Sequence, residues 1–574
     1  MKSRCCIAIY SVMLGLLNAT PALTADPPPK LILQITVDQL RGDLLTRYLD
    51  RMGDGGLRYL LDEGVVYLDA HHAHANTETI VGHATLATGA HPSVHGMVGN
   101  VWFDRVEGRL VYNVEDEDFP ILSADAGVDD DQEIDPTQKV AGTDGRSPLA
   151  ILSSTFSDEL ALAFGSKAKI FGISVKDRGA ISMAGHAGKA FWFSKKSGEF
   201  ITSSYYHDSY PEWVVAWNAE ALPLAYADQA WELLEAHESY VNAERDDLAY
   251  EVDLPGFGRV FPHAFGPAEG KLFTTLLTVS PAGDELTMAF AKRLIEAEDL
   301  GRDAVPDYLS VSLSSTDYIG HIFGPSSLET EDQMLRLDRA LADLLAFVDD
   351  RVGLAETLIV LSADHGAADP PGYLNEFGIP AHYIYPKSWN TAPGLARLQS
   401  RFGLGEELIS EYFHPYVYLN REAIAKAGLD LREVEVAVAD EMMKLPGITL
   451  AISSSALASG DHPDTAIISS ILNNHHPARS GDVFVVFEPH SFINDFDGLT
   501  VASHHGSPWR YDTFVPLILA GNGLSPRRVA RQVETVDLAP TLSAYLGIKA
   551  PSGATGHLLE EVLVDNHGGR EAGK

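Results

Sequence analysis

Short apolar runs recur along this chain, each bounded by polar residues and most ending in a small cluster of Asp, Ser, Thr or Gly. Residues 30–38, KLILQITVD, are too short for a helix and too continuously apolar for a strand with one wet face. Such runs read as strands buried on both faces, the pattern of a parallel sheet. Residues 64–68, 169–175, 308–313, 357–362 and 515–520 follow the same pattern. Between them, 3.6-residue periodicity predicts helices over 39–48, 147–164, 280–298 and 330–350, and a closing helix over 535–546. Residues 82–88, GHATLAT, are built from small side chains and predict a helix packed closely on a neighbour. Thr79 sits just before it, where a hydroxyl either caps the helix or faces an anion held by its free N–H groups. Strands alternating with helices predict an α/β fold around a mostly parallel sheet.

Two stretches break the alternation. From about 186 to 283 aromatics cluster (Phe191, Trp192, Phe193, Tyr205, Tyr206, Tyr210, Trp213, Trp217), which reads as an irregular insertion with an aromatic core. From about 371 to 499 lies a second insertion, with a helix over 431–445 and a strand over 482–488. Residues 26–574 are thus expected to form one catalytic domain, with both insertions making a cap or accessory region. Residues 124–146 read as a solvated acidic loop, because Asp129, Asp130 and Asp131 lack the ligand spacing of a calcium loop. The run His71-His72-Ala73-His74 reads as structural.

At the N-terminus, Lys2 and Arg4 precede a short apolar run, 5–17, and small residues that offer cleavage after Ala22 or Ala25. This is a secretory signal over 1–25, too short for a membrane span, and it predicts a periplasmic or secreted protein. Both cysteines of the chain, Cys5 and Cys6, lie in that segment. The mature protein therefore has no disulfide, thiolate ligand or cysteine nucleophile. A net charge of −38 excludes a phosphate-backbone partner, since nucleic acid needs a basic face. Phosphate can still bind locally where metals supply the positive charge.

The chemistry gathers at the strand ends. Asp38, Asp317 and Asp364 each follow a predicted strand, His321 and His365 lie close by, and His505 follows a loop before another strand. In open α/β sheets, ligands sit at the carboxyl ends of the strands. Asp and His donors without thiolate suit Zn²⁺ or a similar first-row ion, and Asp317 and His321, at i and i+4, share a helical face. Six such ligands suffice for two ions, so spacing alone predicts a dinuclear hydrolytic site.

VDQLRGD at 37–43, TxxGHATLATG from Thr79, GN at 99–100, STDYIGHIFGP at 315–325, SADHG at 362–366 and HHGSPWRYDTFVPLILAG at 504–521 resemble the alkaline phosphatase superfamily. SVKDRGAI at 174–181 and the stretch 188–218 are similar to its bacterial phosphate-irrepressible, threonine-nucleophile alkaline phosphatases. The resemblance covers about residues 30–560. It implies a three-layer α/β sandwich and a monomeric enzyme acting on small phosphate monoesters with two Zn²⁺. It further implies Thr79 as nucleophile, with Asp38, Thr79, Asp364 and His365 holding one zinc and Asp317, His321 and His505 the other. Asn100, Lys176 and Arg178 would hold phosphoryl oxygens. The family pattern has one His before Gly-Ser, whereas His504 and His505 are adjacent here; spacing to Gly506 favours His505. Three rivals remain: a phosphodiesterase or nucleotide pyrophosphatase of the same superfamily, a sulfatase, and a non-catalytic phosphate-binding protein. Lys176 and Arg178 argue against the first, because two extra cations suit a dianionic monoester. A sulfatase would need a modifiable Cys or Ser in a CxPxR-like context, which is absent. The third would be favoured by a missing metal ligand, and none is missing.

Overall fold

The computed structural model describes residues 27–496 and 498–567. The expected signal over 1–25, with both cysteines, lies outside them. Nine strands form the central sheet: β1 (Leu31–Val37), β2 (Val65–His71), β3 (Ile170–Ser174), β4 (Lys189–Phe193), β5 (Phe200–Ile201), β6 (Asp307–Leu313), β7 (Thr357–Ser362), β8 (Phe514–Gly521) and β9 (Arg527–Glu534). Their order is β9-β2-β8-β7-β1-β6-β3-β4-β5. β7, β1, β6, β3 and β4 run parallel, as do β2 and β9. β8 runs antiparallel to β7 and β2, and β5 antiparallel to β4.

The continuous apolar runs follow from burial on both faces. Every residue of β1, β3, β6 and β7 is buried. Alternate side chains serve opposite layers. Leu31, Leu33, Ile35 and Val37 pack with Phe290 and Leu294 of one helix and Leu341 and Leu344 of another. Ile32, Tyr308 and Leu358 pack on the other face with Leu86, Leu160 and Leu542. Seven helices matter below: α1 (Thr79–Thr88), α2 (Phe156–Phe164), α3 (Asp177–Ala184), α4 (Pro281–Ala297), α5 (Ser315–Phe323), α6 (Leu328–Arg351) and α7 (Leu538–Leu546). Each fully buried Leu, Ile or Val contributes roughly 1.5–3 kcal/mol, so this double-faced burial dominates the stability of the sheet.

Register decides what reaches the site. Thr36 pairs with both Ser312 and Ser362, and Ser312 pairs with Ser174. Two residues beyond that level row stand Asp38, Ser314, Asp364 and Lys176. Because β8 runs the other way, the loop before it, carrying His504 and His505, emerges at the same edge of the sheet.

The second insertion builds its own four-stranded antiparallel sheet, Ile409–Phe413, Tyr416–Leu419, Val483–Phe487 and Ile448–Ser453 in that order. It packs on the helix Leu431–Met442 through Val434, Val438 and Met442.

Four expectations need correction. Residues 39–48 are not one helix: Gln39 takes φ 65°, and regular α-helix covers only Leu44–Arg47. The helix expected over 147–164 starts at Phe156, where Thr155 caps it in a reciprocal pair with Asp158. The first insertion does not begin at 186, since β4 and β5 belong to the central sheet. Its aromatics are core: Phe191, Trp213 and Trp217 surround Phe290. Lastly, the loop 124–146 is not simply solvated, because Glu133 and Asp135 are buried. Among the described residues, no helix is long and apolar enough to cross a membrane.

Candidate active site

Two clusters of carboxylate and imidazole form at the carboxyl edge of β1, β6 and β7. In the first, ligand atoms of Asp38, Asp364 and His365 lie within 4.8 Å of one another. His365 Nε2 stands 3.5 Å from Asp38 Oδ1 and 3.5 Å from Asp364 Oδ2. In the second, His321 Nε2 and His505 Nε2 stand 3.3 and 3.6 Å from Asp317 Oδ1. Asp317 and His321 meet because they are one helical turn apart on α5. His365 also groups with Asp317 and His505, so the two clusters adjoin.

The imidazoles are oriented by backbone. Nδ1 of His365 contacts Gly366 O at 2.9 Å, that of His321 contacts Ser503 O at 2.8 Å, and that of His505 contacts Thr77 O at 2.7 Å. A carbonyl accepts only from an N–H, so each ring is protonated at Nδ1 and aims the Nε2 lone pair at its cluster. Asp38 Oδ1, Asp364 Oδ2 and His365 Nε2 are buried with no hydrogen-bond partner among the described residues. Buried polar atoms normally have partners. Three convergent lone pairs without donors fit a divalent cation, and the oxygen and nitrogen donor set suits zinc.

The first cluster is tied to the backbone that follows β1. Gln39, in its left-handed conformation, donates its N–H to Asp364 Oδ1 at 3.1 Å and its Nε2 to Asp317 Oδ1 at 2.8 Å. One residue thus links the carboxylates of both clusters. α1 lies directly against the segment that follows β7, since a Cβ on Gly82 would sit 1.9 Å from Asp364 O. That close approach explains the small residues of GHATLAT. His83, one residue on, bonds Thr79 O at 2.9 Å and Ser312 Oγ at 2.9 Å.

Thr79 is the first residue of α1 rather than the residue before it. The cap position belongs to Glu78, with no side-chain cap bond. Asn100 supplies that function from outside, its Oδ1 accepting from Ile80 N at 3.1 Å. The Thr79 hydroxyl is therefore not used as a cap, and Arg178 Nη2 donates to it at 3.3 Å. Lys176 and Arg178, at the start of α3, are both buried. Lys176 Nζ donates to Asp317 Oδ2 and stands 2.9 Å from Asp38 Oδ2, linking the clusters.

The electrostatics follow from these contacts. Burial, then the charges of Asp317 and Asp364, push Asp38 well above the usual carboxylate range. Burial would also raise Asp317 and Asp364, but neighbours win: His321 and Lys176 hold Asp317 low, and His365 and His83 hold Asp364 low. Burial opposes the Lys176 charge, yet Asp317 and Asp38 keep its pKa above the ordinary value. Burial lifts Glu78 to about 7.

Several residues here were not expected from sequence. Asp135, from the acidic loop, accepts from Arg178 Nη1 at 2.7 Å, and Tyr112 Oη accepts from the same nitrogen at 3.2 Å. Glu133 pairs with Lys195, which also donates to Tyr318 Oη at 2.8 Å. Glu78 receives the backbone N–H of Asn100. The signal available for Asp135 was one acid before Pro136 in an otherwise solvent-like run, too weak to single it out. His71 and His72 are structural, bonded to Thr513 Oγ1 at 3.0 Å and to Ala363 O at 3.0 Å. A cleft of about 1000 Å³ opens over the site, reaching Arg178, Asn100, His321 and His505 from walls that include Tyr412 and Phe496 of the second insertion.

Comparison with known proteins gives the family and the fold. Residues 32–508 match the family model of type I phosphodiesterase / nucleotide pyrophosphatase. The chain is 34% identical over 563 residues to alkaline phosphatase PafA of Elizabethkingia meningoseptica, covering 96% of this chain and 97% of that one. It is 33% identical over 539 residues to alkaline phosphatase PhoV of Synechococcus elongatus, covering 93% of each. The crystal structure of wild-type PafA superposes with a TM-score of 0.84 at 32% identity, covering 93% of this chain and 99% of that one. A PafA variant substituted at one threonine, one asparagine, one lysine and one arginine superposes equally well. The chain therefore belongs to the type I phosphodiesterase / nucleotide pyrophosphatase family of the alkaline phosphatase superfamily, and it is a phosphatase.

Proposed function

We propose that this protein is a monomeric periplasmic or secreted alkaline phosphatase that hydrolyses phosphate monoesters at a two-zinc site through a phosphothreonine. The observation that carries the reading is the Thr79 hydroxyl. It stands at the first turn of α1, relieved of capping by Asn100, and is contacted by Arg178 beside the two clusters.

Asp38, Asp364 and His365, with Thr79, would hold one ion, and Asp317, His321 and His505 the other. When bound, the two ions supply the positive charge that lowers the Thr79 hydroxyl pKa and neutralises phosphoryl and leaving-group oxygens. Lys176 and Arg178 hold two phosphoryl oxygens as charge-assisted donors, and the planar guanidinium can bridge a pair. Asn100 Nδ2 is free to donate to a third, because its Oδ1 is already bound to Ile80 N. Thr79 Oγ1 attacks phosphorus in line, the P–O bond to the alcohol breaks, and the alcohol leaves with a proton. Water then attacks the phosphothreonine, returning the hydroxyl and releasing phosphate.

The family also includes diesterases, in which one phosphoryl oxygen is esterified. Arg178 at the Thr79 hydroxyl and Lys176 between the two clusters, both buried, favour a dianion over a monoanion. A parallel assay of a phosphate monoester and a diester on zinc-loaded enzyme tests the reading. Monoester kcat/KM is expected to exceed the diester value by at least about a hundredfold, a difference of roughly 3 kcal/mol. A higher diester value would replace the proposal with a phosphodiesterase.

A further inference from the structure

The residue before His505 is a second histidine, and the machinery so far leaves it without a role. His504 is not a distant neighbour of the second cluster. Ligand-capable nitrogens of His321, His504 and His505 lie within 4.8 Å of one another. The rings of His321 and His504 are 5.3 Å apart, and those of His504 and His505 4.9 Å. His504 Nδ1 is buried and has no hydrogen-bond partner among the described residues. Its ring meets the edge of Phe496 at 5.1 Å, which holds it against the second insertion. Backbone also fixes the loop, since His504 O accepts from Ala368 N at 3.3 Å. A neutral imidazole with an unused nitrogen, beside two histidines that aim their own lone pairs inward, has the chemistry of a ligand.

We propose that His504 is an additional ligand of the ion at Asp317, His321 and His505, and that it yields its place to a phosphoryl oxygen when substrate enters. The inference rests on the two-ion reading given above. Asp317, His321 and His505 make three protein donors, the number that leaves a catalytic zinc one open position. A fourth donor closes the position and holds the ion between turnovers. His504 can act so because it lines the cleft through which a substrate oxygen would arrive. His505 lines the same cleft, but its ring is fixed by the bond from Nδ1 to Thr77 O, whereas His504 Nδ1 has no such partner among the described residues. The adjacent histidines therefore divide two tasks: His505 keeps the ion during reaction, and His504 retains it in the resting enzyme.

The test is metal retention and ligand-field spectroscopy of His504→Phe, which keeps the ring and its packing on Phe496 but removes both nitrogens. His504→Gln, with a side chain that can still donate a lone pair, is the second variant, and thermal melts report folding of each. Zinc content is measured after equilibration with graded chelator, and visible absorption is recorded on the cobalt-substituted proteins with and without inorganic phosphate. For His504→Phe, one of the two ions is expected to bind about 10- to 100-fold more weakly, the other unchanged, with partial recovery in His504→Gln. Cobalt absorption should shift on adding phosphate to wild type, and the phosphate-free spectrum of His504→Phe should differ from that of wild type. Two ions held with wild-type affinity and an unchanged phosphate-free spectrum in His504→Phe overturn the proposal while leaving the two-ion reading intact. Wild type that binds no divalent ion overturns both. If His504→Phe melts below the assay temperature, His504→Gln decides: retention weaker than wild type with an altered phosphate-free cobalt spectrum supports a ligand role, and wild-type retention with an unchanged spectrum contradicts it.

Discussion

Arg178 is buried in an ion pair, so its replacement has two consequences that a double-mutant cycle separates. Its Nη1 is committed to Asp135 Oδ2 at 2.7 Å and Tyr112 Oη at 3.2 Å, and its Nη2 reaches Thr79 Oγ1 at 3.3 Å. The side chains are 3% and 7% exposed, so solvent screens the pair little. Removing one partner of a buried pair costs about 3–5 kcal/mol, because the other charge is left uncompensated. Arg178→Ala and Asp135→Asn are each expected to lose about 3 kcal/mol of stability in urea melts. The double variant leaves neither charge, so its loss should fall short of the sum by about 2–3 kcal/mol. Activity should not follow stability. A charge-assisted hydrogen bond to a phosphoryl oxygen is worth about 1.5–3 kcal/mol, which is roughly 10- to 150-fold in kcat/KM. Arg178→Ala and the double variant should therefore show the same loss on a monoester, and a smaller one on a diester. Recovery of wild-type kcat/KM in the double variant would mean that Arg178 acts only through the fold. Equal losses on monoester and diester would remove the case for monoester preference.

Two further outcomes test the scaffold. Gly82→Ala places a methyl 1.9 Å from Asp364 O, so α1 must shift from the segment that follows β7; a loss of about 1–3 kcal/mol and a fall in kcat are expected, and melting like wild type would contradict the close approach. Asp284 is 2% exposed, and its oxygens accept from Ser315 N at 3.0 Å and Gln333 Nε2 at 2.8 Å, bracing the start of α5. Burial raises its pKa to about 6. A raised carboxyl favours folding below its unfolded pKa near 4, and that contribution is lost as pH rises through 6, a span worth about 3 kcal/mol. Asp284→Asn, which cannot ionise, should gain on wild type by up to that amount between pH 4 and pH 7, and a pH-independent difference would refute the assignment.

The sheet was legible because double-faced burial writes itself as unbroken runs such as KLILQITV. The strand-end acids were legible because level register converts sequence position into spatial proximity. The direction of β8 was not, since an antiparallel strand buried on both faces has the same composition as a parallel one. Gln39 was misread because its neighbours have helical periodicity, while its own backbone turns left-handed to reach Asp364 and Asp317. Asp135 was missed for a related reason. An acidic loop advertises solvation, and only the fold reveals that one carboxylate is turned inward onto Arg178. Thr79 shows the limit of local reading: its place at the helix start was visible, but that Asn100 takes over the capping depends on a contact 20 residues away in sequence.

The central claim is that Thr79 carries the phosphoryl group during turnover. Acid-quenching the zinc-loaded enzyme while it hydrolyses a monoester, followed by peptide mass analysis, tests this most directly. The account predicts a phosphorylated peptide whose modified residue is Thr79, absent from Thr79→Ala, whose turnover should fall at least about a thousandfold. An unmodified Thr79 peptide under quench, with Thr79→Ala turning over within about tenfold of wild type, would contradict it.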